Sequence, residues 1–159
     1  MGYHIGIDPG KTGAVGLISD GGWYLEVYDA PVDEEAWIQL SLEIVAGRGA
    51  PLAVWVEFSQ SGVFGQGKVG RQSPRSAHTS GLTYGHCRYF AASFRGRWDM
   101  VKPVAWKKAC GLIGKDKEDS RLKARRLWPE APLDRKKDHG RAEALLIAEW
   151  GRLHGGVNI

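Results

Sequence analysis

Two acidic residues stand where apolar segments of the sequence end. Asp8 closes the segment "YHIGID" just before Pro9 and Gly10, and Glu57 closes the segment "LAVWVE". Period-two alternation in the first segment and a short apolar run in the second are both typical of β-strands. Asp8 alone is explained equally well as a turn former, because Asp is common in turns. A second acid at the end of a second strand favours a shared site.

A third acid lies in the last predicted helix, "DHGRAEALLIAEWG". With 3.6 residues per turn, Glu143 shares a stripe with the apolar Leu146 and Ile147, so it projects from the face that packs on the sheet. Burying an acid there is costly. Glu143 therefore either reaches water at the rim of that face or belongs to a functional site.

Asp138 and His139 open the same helix, and either residue could complete such a site. Asp138 is also explained as a helix N-cap, and on an ideal helix it is turned away from Glu143. His139 lies four residues before Glu143 and is better aligned with it. The spacing does not choose between them.

The three carboxylates together predict a divalent-metal site. Open α/β sheets carry their sites at the carboxyl ends of strands, so Asp8 and Glu57 are expected to lie close together. Like charges at close range raise each other's pKa and lower stability unless a cation lies between them. Hard oxygen ligands of this kind favour Mg²⁺ or Mn²⁺.

The order of elements that must position these residues predicts the fold class. Three strands come first, and a fourth and a fifth strand alternate with helices before three more helices end the chain. The predicted strands are 3–8, 13–18, 23–28, 52–57 and 98–101, and the predicted helices are 33–47, 76–94, 104–110, 118–128 and 139–153. This order predicts an α/β fold with a central mixed five-stranded sheet and helices on both faces. One domain over residues 1–159 is expected.

Charge is segregated along the chain, which has a formal net charge of +4. Residues 1–60 contain two basic and nine acidic residues, residues 61–137 contain 18 basic and six acidic residues, and residues 138–159 contain two and three. A solvated face usually mixes both signs. The positive middle part therefore favours a polyanion as partner over an incidental basic surface.

The segment 58–75, "FSQSGVFGQGKVGRQSPR", has four glycines and no acid. Lys68, Arg71 and Arg75 surround an isolated aromatic residue, Phe64. A basic loop of this length is either functional or disordered, and an aromatic side chain among cations suits base stacking. We expect a loop that contacts nucleic acid.

Composition restricts the class of protein further. The 159 residues are 43 % hydrophobic, which suffices for a core without disulfides. Cys87 and Cys110 lie far apart and form no zinc-binding pattern, so reduced thiols are expected. No stretch approaches the length of a membrane helix and the N-terminus has no signal-peptide pattern, so a cytoplasmic protein without a membrane partner is expected.

Four motifs, taken in order, resemble the RuvC-type Holliday-junction resolvases of the RNase H-like superfamily, in particular their phage-encoded branch. They are "IGIDPG", "VWVE", "VKPVAWKKACG" and "DHGRAEALLIAEWG". Each motif alone is weak, but the ordered set spans nearly the whole chain. The resemblance implies an RNase H-like fold, a homodimer and a partner in four-way, branched DNA.

The resemblance also implies the chemistry and the residues that perform it. Two Mg²⁺ ions per site, with Mn²⁺ as a substitute, would support paired phosphodiester nicks at the junction. Asp8, Glu57 and Glu143 are implied as metal ligands, together with Asp138 or His139. Lys102 and Lys117 match the lysines that the family uses near its site, although surface cations need no special role. The residues assigned to DNA contacts are Phe64, Lys68, Arg71, Arg75, Lys107 and Lys108.

One position departs from the family pattern. Its best-known members have an acid or a histidine three residues before the final carboxylate, and this chain has Gly140 there. The fourth ligand therefore stays open between Asp138 and His139.

Three other functions compete with a junction resolvase. The segment "GIDPGKTGAVGLI" also resembles the phosphate-binding turn of actin-like and sugar-kinase phosphotransferases, although those proteins need two lobes and a longer chain. A non-catalytic DNA-binding protein of the same fold is another alternative, and the complete set of three acids argues against it. A nuclease acting on RNA ends is the third.

Overall fold

A computed structural model describes residues 2–58 and 73–155 of the chain. The strands are β1 (Tyr3–Asp8), β2 (Ala14–Ser19), β3 (Tyr24–Asp29), β4 (Ala53–Glu57) and β5 (Arg97–Val101). The helices are α1 (Glu34–Arg48), α2 (Pro74–Ser93), α3 (Pro103–Ala109), α4 (Lys117–Leu127) and α5 (His139–His154), with a 3₁₀ turn at Lys136–Asp138. The predicted order of strands and α-helices is confirmed.

The five strands form one mixed sheet in the order β3-β2-β1-β4-β5. The first three strands are an antiparallel meander, whereas β4 and β5 run parallel to β1. Because β1 and β4 are parallel neighbours, their carboxyl ends meet at the same edge of the sheet. The predicted five-stranded mixed sheet is therefore confirmed.

Side-chain alternation along β1 and β4 divides the core into two layers. Tyr3, Ile5 and Ile7 point toward α1 and α2, where Trp37 and Phe90 pack edge to face. Side chains of the opposite face, such as Ala53 and Trp55 of β4, belong to the core layer that α3, α4 and α5 complete. Helices therefore cover both faces of the sheet, as the element order predicts.

Helix α5 lies in direct backbone contact with the sheet, and two glycines permit this. A Cβ atom on Gly6 would clash with the main chain of Ala144 and Ala148, and one on Gly16 would lie 2.8 Å from the Leu145 nitrogen. Gly6 and Gly16 are register partners in β1 and β2. Together they form a shallow trough in which the α5 backbone rests.

Local sequence signals set the ends of the helices near the site. Asp33 caps α1 by accepting a hydrogen bond from the Ala36 amide, and Asp116 and Asp119 form a reciprocal capping box at the start of α4. Helix α2 starts at Pro74, two residues before the predicted start, because Ser73 caps it and Pro is favoured at the first helical position. Within the described residues, no helix has the length and apolar character to cross a lipid bilayer.

We expect Gly6→Ala to destabilise the protein. The added methyl group would clash with main-chain atoms of α5, which cannot rotate away as a side chain can. Overpacking of this kind costs about 1–3 kcal/mol, and chemical denaturation would measure it. Gly81→Ala is the matched control: its Cβ meets nothing within 4 Å, and in a helix the change should gain up to about 1 kcal/mol. Equal effects of the two substitutions would contradict the close contact at Gly6.

Candidate active site

Asp8 and Glu57 extend from adjacent parallel strands at the same edge of the sheet. Ile7 of β1 pairs with Val56 of β4, so each acid follows directly after one member of a paired position. Neighbouring strands lie about 4.8 Å apart. By alternation both side chains belong to the face that α5 covers, which brings two carboxylates together under that helix.

Glu143 approaches the same place from α5. It is 7 % exposed, and it directly precedes Ala144, whose backbone rests against Gly6. The contact that seats the helix on the sheet therefore also sets the position of the third carboxylate. The predicted grouping of the three acids has this structural basis.

Electrostatics show that the three carboxylates interact. Burial raises the pKa of the Asp8 carboxyl well above its usual range, and the negative charges of Glu143 and Glu57 raise it further. Burial also raises the pKa of Glu57; a hydrogen bond from Trp106 opposes that shift, and the charge of Glu143 adds to it. A bound cation would relieve this repulsion.

Two lysines act on the carboxylates from the opposite direction. The positive charges of Lys117 and Lys107 lower the pKa of both Asp8 and Glu57. Lys117 is exposed at the start of α4, whereas Lys107 is half-buried in α3 and lies over the Trp106 ring, with Nζ 5.3 Å from its centroid. Lys102 is exposed at the N-cap of α3, immediately after β5.

Two hydrogen-bond donors hold two of the carboxylates, and the sequence analysis missed both donors. The Trp106 indole, fully buried in α3, donates from Nε1 to Glu57 Oε2 at 2.6 Å. Ser120 Oγ, buried in α4, donates to Glu143 Oε1 at 3.2 Å. Nothing in the pattern around Ser120 signals this role, and an apolar Trp106 is ordinarily read as core alone.

In this arrangement the acids lie within electrostatic reach of one another without converging on one point. No group of three His, Cys, Asp or Glu side chains within residues 2–58 and 73–155 has the spacing of a metal site. Glu57 and Glu143 are turned toward Trp106 and Ser120 instead. The donor set still fits a hard divalent cation, because such cations prefer carboxylate oxygens and a cation between these acids would relieve their repulsion.

The structure separates the two candidates for the fourth ligand. Asp138 is 3 % exposed and is held by Arg135, whose Nη2 donates to Oδ1 at 2.7 Å and whose amide donates to Oδ2 at 2.8 Å. His139 Nδ1 faces the Lys136 carbonyl at 3.3 Å, and the buried Nε2 has no hydrogen-bond partner among the described residues. A donating Nδ1–H leaves Nε2 with a free lone pair, the form in which His binds metals.

Gly140 has a steric reason for lacking a side chain. A Cβ atom there would clash with the Thr12 carbonyl and would lie 3.4 Å from Asp8 Oδ2. Gly140 therefore permits a close contact between the start of α5 and the β1–β2 turn, at the position where this chain departs from the family pattern.

The remaining predicted contact residues divide between described and undescribed parts of the chain. Phe64, Lys68 and Arg71 lie outside the described residues. Arg75 is exposed in the first turn of α2, and Lys108 is exposed on α3. Their assignment to DNA contacts stays a prediction.

Comparison with solved structures identifies the fold. The structure of T. thermophilus RuvC in complex with a Holliday junction substrate superposes with a TM-score of 0.65 at 22 % identity, covering 99 % of this chain and 97 % of that chain. A further Thermus thermophilus RuvC structure gives a TM-score of 0.61 at 23 % identity and 96 % coverage of both chains. The chain has the RuvC-type, RNase H-like fold. No protein-family model matches the sequence, and no curated protein matches it. The fold that the four motifs predicted is therefore confirmed by structural similarity, although the sequence identity is low.

Trp106→Phe tests the hydrogen bond from Trp106 to Glu57, because it removes the indole N–H and keeps an aromatic ring. We expect the free energy of unfolding to fall by about 2 kcal/mol, as for a bond to a charged group. In a double-mutant cycle with Glu57→Gln, the two changes should couple by at least about 0.5 kcal/mol.

Trp128→Phe is the matched control, since the Trp128 indole donates to the Gly22 carbonyl away from the acids. Its effect should add to that of Glu57→Gln within about 0.5 kcal/mol. If both tryptophan variants were additive with Glu57→Gln, the proposed coupling between Trp106 and Glu57 would be contradicted.

Proposed function

We propose that the chain is a divalent-metal-dependent endonuclease that resolves four-way DNA junctions by paired nicks. The observation that carries the proposal is that Asp8, Glu57 and Glu143 lie within electrostatic reach of one another at one edge of a sheet with the RuvC fold. One of the solved structures with this fold is a RuvC complex with a Holliday junction substrate. The segregated positive charge of residues 61–137 supports DNA as the partner.

In the proposed mechanism, Asp8, Glu57 and Glu143 would hold two Mg²⁺ ions, or Mn²⁺ in their place, and His139 would be the fourth ligand. Such ions, when bound, supply Lewis acidity to the phosphate and activate water as a nucleophile. Trp106 and Ser120 each engage one oxygen of Glu57 and Glu143, so the other oxygen of each carboxylate would remain to hold an ion.

Basic residues around the acids have a separate role in the proposal. Lys107 and Lys117 draw the phosphate of the substrate toward the carboxylates, and Lys102 adds charge at the adjoining end of α3. Arg75 and Lys108 contact the DNA backbone, as do Lys68 and Arg71. Phe64 stacks on a base that the junction leaves unpaired.

A homodimer would present two such sites to opposed strands of the junction. Helix α2 offers a surface for this contact, because Leu82 and Tyr89 are 49 % and 63 % exposed on it. Twofold symmetry would match the symmetry of a four-way junction. Resolution by paired nicks requires both sites, so dimerisation belongs to the proposed activity.

A substrate panel tests the function directly. In Mg²⁺, the protein should cut a labelled four-way junction and leave a linear duplex and an RNA hairpin largely intact. Asp8→Asn and Glu57→Gln should each lower the cutting rate by at least about a hundredfold. Junction affinity should stay equal or rise, because each change removes a negative charge that faces phosphate.

Glu149→Gln is the matched control, since Glu149 is a carboxylate on α5 that pairs with Arg152. It should cut at nearly the unaltered rate. Preferential cutting of the RNA hairpin would favour an RNA nuclease, and tight ATP binding without cutting would favour a phosphotransferase. Junction binding without cutting would leave a non-catalytic binding protein.

The fourth ligand has its own test, measured by calorimetric titration with Mn²⁺. His139→Ala should weaken metal binding by about 10–100-fold, approaching the effect of Glu143→Gln. Asp138→Asn should change metal affinity little and instead lower thermal stability, because it releases Arg135 from a buried carboxylate. The opposite pattern would assign Asp138 as the ligand, and mild effects of both on metal affinity would leave three carboxylates and water.

A further inference from the structure

A small cleft opens beside the carboxylates, between the β1–β2 turn, the end of β3 and the 3₁₀ turn before α5. Its volume is about 220 Å³. The residues that line it are Lys11, Thr12, Gly13, Asp29, Ala30, Arg135, Lys137 and Asp138. We call this the basic cleft.

Thr12 connects the basic cleft with the acids, because it lines the cleft and also lies against the start of α5. The Thr12 carbonyl touches the α5 backbone at Gly140, and Asp8 Oδ2 is 3.4 Å from the point where a Gly140 Cβ would stand. Thr12 is therefore shared between the surroundings of Asp8 and the lining of the basic cleft.

Both acidic residues of the basic cleft are already neutralised by arginines. Asp29 accepts two hydrogen bonds from Arg141, at 2.6 and 2.8 Å. Asp138 accepts from Arg135 Nε at 3.0 Å and from Nη2 at 2.7 Å, and the Arg135 side chain is still 52 % exposed. The acids thus hold arginines in place, and each acid that lines the cleft in the described part of the chain has an arginine partner.

Lys11 and Lys137 carry the remaining charge. Both are exposed, and within residues 2–58 and 73–155 neither has an acidic partner within 4.0 Å. Two unpaired ammonium groups and a half-exposed guanidinium around one concavity favour an anion with several oxygens. Among residues 2–58 and 73–155, no aromatic side chain lines the cleft, so these residues give it no stacking surface for a base.

We propose that the basic cleft binds a backbone phosphate of the cleaved DNA strand, next to the phosphate that is cut. This assignment rests on the proposed nuclease function and adds a substrate subsite to it. The bound phosphate does not react. Holding it fixes the register of the strand, so that its neighbour lies at the carboxylates.

The assignment also gives Asp138 a role other than metal ligation. Through its hydrogen bonds to Arg135, Asp138 fixes one wall of the basic cleft. The Arg141–Asp29 pair fixes the opposite wall at the end of β3. Lys11 and Lys137 have no acidic partner among the described residues, so their ammonium groups can contact the phosphate.

The first arm of the test is junction binding without divalent metal, measured by fluorescence anisotropy at several salt concentrations. The Lys11→Gln/Lys137→Gln double variant should lower the slope of log affinity against log salt by about two units, one for each lysine. Lys136→Gln, which changes a neighbouring lysine outside the lining of the cleft, is the matched control. An equal or larger loss per lysine in the control would overturn the assignment.

The second arm locates the phosphate, using junctions in which one linkage near the cut is an uncharged methylphosphonate. For the unaltered protein, one neutral linkage beside the cut should weaken binding about tenfold. The same linkage should change the affinity of the double variant less than about twofold, because the lysines that contact it are gone. Equal losses for both proteins at every position would refute the cleft as a phosphate subsite.

Both arms measure binding, so they distinguish failure of this proposal from failure of the proposed function. Junction binding without cutting would reject the nuclease while the neutral linkages still decide the subsite. Absence of junction binding would reject both. Thermal melting of each variant verifies that surface changes at Lys11, Lys136 and Lys137 leave the fold intact.

Discussion

Backbone contact between α5 and the first two strands is the constraint on which the rest of the structure depends. Gly6 and Gly16 stand opposite each other in the sheet and let the α5 main chain lie at van der Waals distance. Gly140 continues this contact at the start of the helix, against Thr12. Because Glu143 lies between these contacts, packing that buries the core also places a carboxylate beside Asp8. The same packing contact therefore builds the core and positions Glu143.

Three acids in a partly buried edge of a sheet work against stability, and the surrounding residues show how this is contained. Burial and mutual repulsion raise the pKa of Asp8, while donors from α3 and α4 meet the other two carboxylates. Trp106 satisfies Glu57 and at the same time supports the Lys107 ammonium over its ring. The site is thus ordered by its own hydrogen bonds and remains electrostatically suited to a cation.

Arginines and lysines divide their roles in the described part of the chain. The ion pairs there use arginine or histidine, as between Arg141 and Asp29 or His86 and Glu34, and no lysine there lies within 4.0 Å of an acid. The planar guanidinium suits fixed bidentate contacts, whereas the ammonium group keeps its hydration and mobility. The lysines of the described residues therefore keep their charge available to a polyanion.

The sequence by itself determined the order of elements, the mixed sheet and the three acids, because alternation, helical period and strand ends are local properties of the chain. It also exposed Gly140 as an irregular position, but only the tertiary structure gave the reason, a contact with Thr12 more than a hundred residues away. Trp106 and Ser120 became visible as partners of the acids only in three dimensions, since their hydrogen bonds join α3 to β4 and α4 to α5. Asp138 and His139 are adjacent in sequence, and only their packing distinguishes an arginine-bound carboxylate from an imidazole with a free nitrogen. Local sequence pattern determines which residues stand at strand ends and on helix faces. Packing between elements distant in sequence determines which of these residues come into contact.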